Sequence, residues 1–194
     1  MTDRRTEILD GSLSVLAADG MRALTHRAVD AAAGIAPGST SYYFRTRSAL
    51  IAGCVDRLVE IDRGLAAVRS AASPGEPSGE PLGAAGLLDL VVAIGEVMAG
   101  RERTRTLARY ELSVAAMHDE GLRATLGEGA ATIARLAAAM LADLGATDPE
   151  AAARQVLTAF DGVMFSAMVR GEREVGATLR AVVGPVLAAQ PGLA

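Results

Sequence analysis

With 194 residues and 51% hydrophobic types, the chain is long enough to bury a sizeable core, and only 3% aromatics amid abundant Ala, Leu, Val, Arg and Glu exclude a strand-dominated fold. The single cysteine, Cys54, excludes an internal disulfide and a cysteine-based metal cluster, and no apolar stretch is long enough to span a membrane. The net charge of −4 argues against a nucleic-acid partner until its distribution is followed: residues 20–47 hold four arginines against Asp30 alone, whereas residues 73–194 hold ten arginines against fifteen acids. Every basic residue is Arg, whose planar fork clamps phosphate better than Lys, although GC-rich coding accounts for the missing Lys equally well. The start Met1-Thr2-Asp3-Arg4-Arg5 lacks the apolar run of a signal peptide, so a cytoplasmic protein is expected.

In chain order, residues 4–19 place Ile8, Leu9, Leu13, Val15 and Leu16 mostly three or four apart. That spacing predicts an amphipathic helix opened by Thr2 or Asp3 and closed by Gly20. Thr25 caps a short helix from Arg27 to Ala33, ended by Gly34. Ile35-Ala36-Pro37-Gly38 cannot continue it, because Pro lacks an N–H and Gly is costly inside a helix. A third short helix follows over Ser39–Phe44, and Thr46 caps a fourth running to about Ala72, with Leu50, Ile51, Val55, Leu58, Val59, Ile61 and Leu65 as its apolar set. Ser73–Pro81 carries three prolines in nine residues and begins an extended linker over about 73–86.

Beyond the linker, helices are predicted over Leu87–Ala99, Glu102–His118 and Leu122–Leu144, the last with Gly127 and Gly129 as points where it could break. Asp148-Pro149-Glu150 opens a helix to Arg170, and a final helix spans about Glu174–Ala189. The expectation is an all-α fold of about nine helices. Residues 1–47 are expected to form a three-helix N-terminal module, and residues 48–194 a separate helical bundle.

The informative unit is the pair of short helices joined by a glycine-containing turn behind a supporting first helix, the arrangement of a DNA-reading helix-turn-helix. Its second helix supplies Ser39, Thr40, Ser41, Tyr42 and Tyr43. Their hydroxyls can donate to or accept from bases and phosphates, and a Thr methyl can meet the thymine methyl. Ile8-Leu9, Gly20, Thr25, Ala33-Gly34-Ile35, Gly38-Ser39-Thr40-Ser41-Tyr42-Tyr43-Phe44, Arg47 and Leu50 follow one another in a pattern that needs no gap. On these residues, 4–58 resemble the TetR family of bacterial repressors.

The resemblance implies that Thr25 caps the second helix and touches phosphate, that Arg27 neutralises a neighbouring phosphate, and that Ser39, Thr40 and Ser41 face the groove. Tyr42 stands where the family has a phosphate-binding Tyr, Tyr43 where His is more usual, and Phe44 in the core. Arg47 replaces the usual Lys at the start of the fourth helix, where free N–H groups also favour an anion. Arg45 is added for its place beside the reading helix. Two readings stay open for the tyrosines, groove contact or packing on the first helix. His26 reads as a solvated helix-start residue in preference to a base contact.

The same resemblance implies that residues 48–194 bind an effector and form a homodimer. The helix from Pro149 to Arg170 is apolar around its whole circumference, and the last helix repeats apolar residues at heptad-like spacing, which together suit a four-helix interface. Val156, Phe160, Val163, Val175, Leu179, Val182 and Val186 are the candidate dimer residues; packing within one subunit is the competing reading. Thr106–Leu112 resembles a segment of TetR-type C-terminal domains. Met98, Tyr110, Ser113, Met117 and Met164 are the candidates for an effector cavity, where methionines adapt to apolar shapes and a hydroxyl orients one polar group.

The expected partners are double-stranded DNA carrying an inverted-repeat operator, a second copy of the chain, and a partly apolar small-molecule effector. The effector would favour a dimer in which the reading helices no longer match successive grooves, with the fourth helix as lever. No membrane, cofactor or metal is expected. Nor is catalysis: His26 and His118 are far apart in sequence, Cys54 lies in an apolar stretch, and Glu96, Glu102 and Glu111 sit near Arg101, Arg105 and Arg109 at helical spacing. A helical small-molecule-binding dimer without a DNA partner is the rival reading.

Overall fold

The structure, a computed structural model, describes residues 3–71 and 83–193, with side chains through 64 and from 83 onward. Among the described residues there are nine helices and no strand. They are α1 (Arg4–Ala23), α2 (His26–Ala32), α3 (Ser39–Tyr43), α4 (Arg47–Ala71), α5 (Ala84–Ala99), α6 (Arg103–Ala116), α7 (Glu120–Asp143), α8 (Pro149–Arg170) and α9 (Gly176–Ala188). No helix among the described residues is long and apolar enough to cross a membrane. The proline-rich stretch 73–81, expected as a linker, lies outside the described residues, and α5 begins at Ala84, inside the span 73–86 given to that linker.

Three of the expected caps form, while Asp3 at the start of α1 makes no side-chain cap bond. The side-chain oxygens of Thr25, Thr46 and Asp148 accept from the backbone N–H of Ala28 (3.2 Å), Ala49 (3.1 Å) and Ala151 (2.9 Å), satisfying donors that a helix start leaves open. Gly20 leaves the helical region, and one further turn carries α1 on to Ala23. Gly129 does not break α7. A Cβ there would lie 2.9 Å from Val59 Cγ2, so the glycine permits close approach of α7 to α4.

The chain divides into two compact units. The first joins residues 1–61 to 102–130, and the second joins 62–101 to 131–194. In the first, α1 packs against α2 and α6, and α2 against α3. Ile8, Leu13 and Leu16 of α1 share one core with Val29, Phe44, Leu50, Cys54, Leu58 and Leu112. Asp10 at the edge of that core receives Arg57 through two contacts (Nε–Oδ1 3.1 Å, Nη2–Oδ2 3.3 Å) and lies 3.6 Å from Arg105 Nη2, which ties α1 to α4 and α6. These partly exposed pairs fix register more than they add stability.

Burial pushes the Cys54 thiol up to about 12 from an ordinary 9.0, with the hydrogen bond to Ser12 opposing in part. Because the folded value lies above the unfolded one, the thiol's contribution to stability is full below pH 9.0 and is lost as pH rises towards about 12. Iodoacetamide at neutral pH should therefore leave Cys54 unmodified in the native protein and label it once denaturant opens the fold. Rapid native labelling would contradict this packing.

In the second unit, α5 packs on α8 and α9, and α8 on α9. Leu87, Leu90, Val97, Val156, Val163, Met164, Leu179 and Val183 are all buried. The C-terminal turn is held by Gln190, whose Nε2 donates to Gln155 Oε1 (2.9 Å) and to the Val186 carbonyl (2.7 Å).

Candidate nucleic-acid interface

The reading unit is built from α2, a turn and α3. α2 ends at Ala32, Gly34 turns the chain at φ +64°, and Gly38 begins the next helix at φ +90°, left-handed conformations that a side chain would strain. α3 is only five residues long and buries Thr40 alone among them. Its neighbour Phe44 is core, packed with α1 and α4, and Arg5 lies over the Phe44 ring at 4.6 Å.

What orients α3 is polar. Asp30, 5% exposed, turns its carboxylate onto the start of α3, where Oδ2 accepts from Gly38 N (2.7 Å) and Oδ1 from Thr40 N (2.8 Å) and Thr40 Oγ1 (2.6 Å). Burial alone would raise this carboxyl's pKa, but the hydrogen bonds from Thr40 and Gly38 and the nearby His26 outweigh it and hold it below its ordinary value of 3.8. At the other end, His26 Nε2 donates to the Phe44 carbonyl at 2.7 Å.

Around this frame the expected DNA-contacting residues divide. Thr25, Arg27, Ser41, Tyr42, Tyr43, Arg45 and Arg47 are exposed. Tyr42 is 79% exposed and Tyr43 40%, and their rings meet edge to face at 5.3 Å, so neither tyrosine is in the core. Ser39 is half-buried and bonds back to the Ala36 carbonyl (2.6 Å). Arg47 reaches the Met21 and Leu24 carbonyls at the end of α1 (2.5 and 3.3 Å), leaving further guanidinium N–H groups for an anion.

Thr40 departs from expectation. It is fully buried with its hydroxyl given to Asp30, so it faces the protein and not a groove. Asp30 and His26, one turn apart on α2, were not anticipated as organising residues; their i, i+4 spacing was the available signal.

The expected dimer residues also divide. Val156, Val163, Val175 and Leu179 are buried inside their own chain, because α8 packs on both α5 and α9, which explains its all-round apolar character. Phe160 and Val186 are half-buried, and Val182 is exposed. Phe165 (48% exposed) and Val169 (71%), one turn apart on α8, are large apolar side chains at the surface. Of the cavity candidates, Met98 and Met164 are buried in the second unit. Tyr110, Ser113 and Met117 belong to the first: the Ser113 hydroxyl bonds to the Arg109 carbonyl, and Met117 is exposed.

Two family models match this chain. One, described as bacterial regulatory proteins of the tetR family, covers residues 8–54; the other, described as the C-terminal domain of tetracyclin repressor-like proteins, covers residues 82–189, more than half the chain. The chain belongs to the TetR family. It is therefore a DNA-binding transcriptional regulator, and the rival reading of a helical dimer without a DNA partner is not favoured.

Solved structures are similar over 95–96% of this chain. A TetR-family member from Streptomyces coelicolor A3 is 28% identical at a TM-score of 0.70, covering 95% of this chain and 98% of its own. The multidrug binding protein EbrR, complexed with ethidium, is 28% identical at a TM-score of 0.67, with the same 95% and 98% coverage. A TetR-family transcriptional regulator from Rhodococcus sp., 23% identical at a TM-score of 0.76 over 96% of this chain and 100% of its own, shows the shared fold. No curated protein matches the chain.

Proposed function

We propose that this TetR-family regulator acts in the cytoplasm as a homodimeric repressor that binds an inverted-repeat operator and leaves it when a small molecule binds. The observation that carries DNA reading is a short, buried-end-anchored α3 with Ser41 and Tyr42 turned outward, flanked by exposed Arg27 and Arg45. Thr25, Ser39, Tyr43 and Arg47 complete the contact set on this reading, with phosphates holding register and α3 reading base edges.

Dimerisation is supported by the exposed apolar trio Phe165, Val169 and Val182 on α8 and α9. A two-fold contact made by these residues would present two reading helices to two half-sites. For the effector, the likeness to EbrR, which was solved with ethidium, supports a small ligand of partly apolar chemistry. Met98 and Met164 are the residues we assign to its apolar contacts.

Selecting bound fragments from a pool of random duplexes tests the reading. An enriched inverted repeat is the expected result; enrichment of nothing, or of a single unsymmetric site, contradicts it.

A further inference from the structure

A helix of five residues cannot hold its own orientation: its nucleus is unfavourable, and α3 buries only Thr40. Its tilt and rotation must come from outside. Two side chains on one face of α2, four residues apart, supply both ends. Asp30 takes the start of α3 through Gly38 N, Thr40 N and Thr40 Oγ1, and His26 takes the carbonyl of Phe44 just past its end. Asp30 is also the only acid in residues 20–47, and its inward turn keeps that charge away from the phosphates that the neighbouring arginines would meet.

We propose that Asp30 and His26 are positioning residues for sequence discrimination, a two-point clamp that sets which side chains of α3 reach the base edges. The proposal rests on the DNA-reading assignment above. Neither residue touches DNA. Their effect reaches the bases through α3, so it falls on base contacts, which need exact placement, far more than on phosphate contacts made by long, adaptable arginines.

The test compares binding to two duplexes of equal length and composition, the inverted repeat selected by the wild-type protein and a scrambled version. Their affinity ratio is insensitive to a partly unfolded population, because unfolding lowers both affinities alike. Asp30→Asn keeps the shape but sets an amide N–H₂ against a ring of donors, and His26→Ala removes the far anchor. Each should lower the ratio by about tenfold or more, with non-specific affinity within about twofold of wild type. Thr40→Ser keeps the hydroxyl and should retain the wild-type ratio, while Thr40→Val loses it. The threonine pair carries the test should Asp30→Asn fail to fold. Variants that discriminate as well as wild type, or Thr40→Ser impaired as much as Thr40→Val, overturn the clamp. A wild-type protein with no discrimination overturns the DNA-reading assignment, and the clamp with it.

Discussion

Phe165→Glu should convert the protein from a dimer to a monomer and remove tight binding to the inverted repeat. Phe165 and Val169 stand one turn apart on α8, Val182 is exposed on α9, and these are the residues to which we assign the two-fold contact. A symmetric interface places each new carboxylate near its own mate, where desolvation and like-charge repulsion act together. Because Phe165 is already half-exposed, the substitution costs the isolated chain little. The loss of one linked half-site should weaken operator binding by about 100-fold or more. Sedimentation velocity with a parallel gel-shift titration checks both effects; a variant that stays dimeric removes this face from the interface.

The second large effect concerns phosphates. Arg27→Ala combined with Arg45→Ala strips two exposed arginines from each reading unit, hence four from a dimer. Affinity should fall for all duplexes alike. The slope of log affinity against log salt should flatten by about four, since each lost phosphate contact removes about one released counterion. Fluorescence anisotropy at several salt concentrations measures this. An unchanged slope would mean that the two arginines are ordinary surface charges, and the loss of sequence preference without change of slope would place them on bases.

These two predictions use different parts of what the chain makes legible. Helix caps and the turn at Pro37-Gly38 depend on local chemistry, and the residues announce them, whereas the tyrosines fit both groove contact and packing until the fold turns them outward. Thr40 and Asp30 do not announce themselves. Each is polar and sits beside exposed neighbours, and only the fold of α2 on α3 turns them toward each other.

The all-round apolar character of α8 was legible as burial on several sides, but it did not decide between burial within one chain and burial against a second copy. Val156 and Val163 are occupied by the chain's own neighbours, whereas Phe165 and Val169 remain at the surface. The helix-turn-helix ends near residue 47, and the first compact unit reaches beyond it. α6, some sixty residues on in the sequence, packs on α1 and joins the first unit. Such non-local packing leaves no periodic trace in sequence.

A hydroxyl-radical footprint of the wild-type protein on its selected duplex tests the central claim most directly. Two protected patches on one face of the DNA, centred about 34–36 Å apart or a multiple of that spacing, are the result that two symmetric reading helices predict. A single patch, or uniform protection with no periodicity, would contradict it.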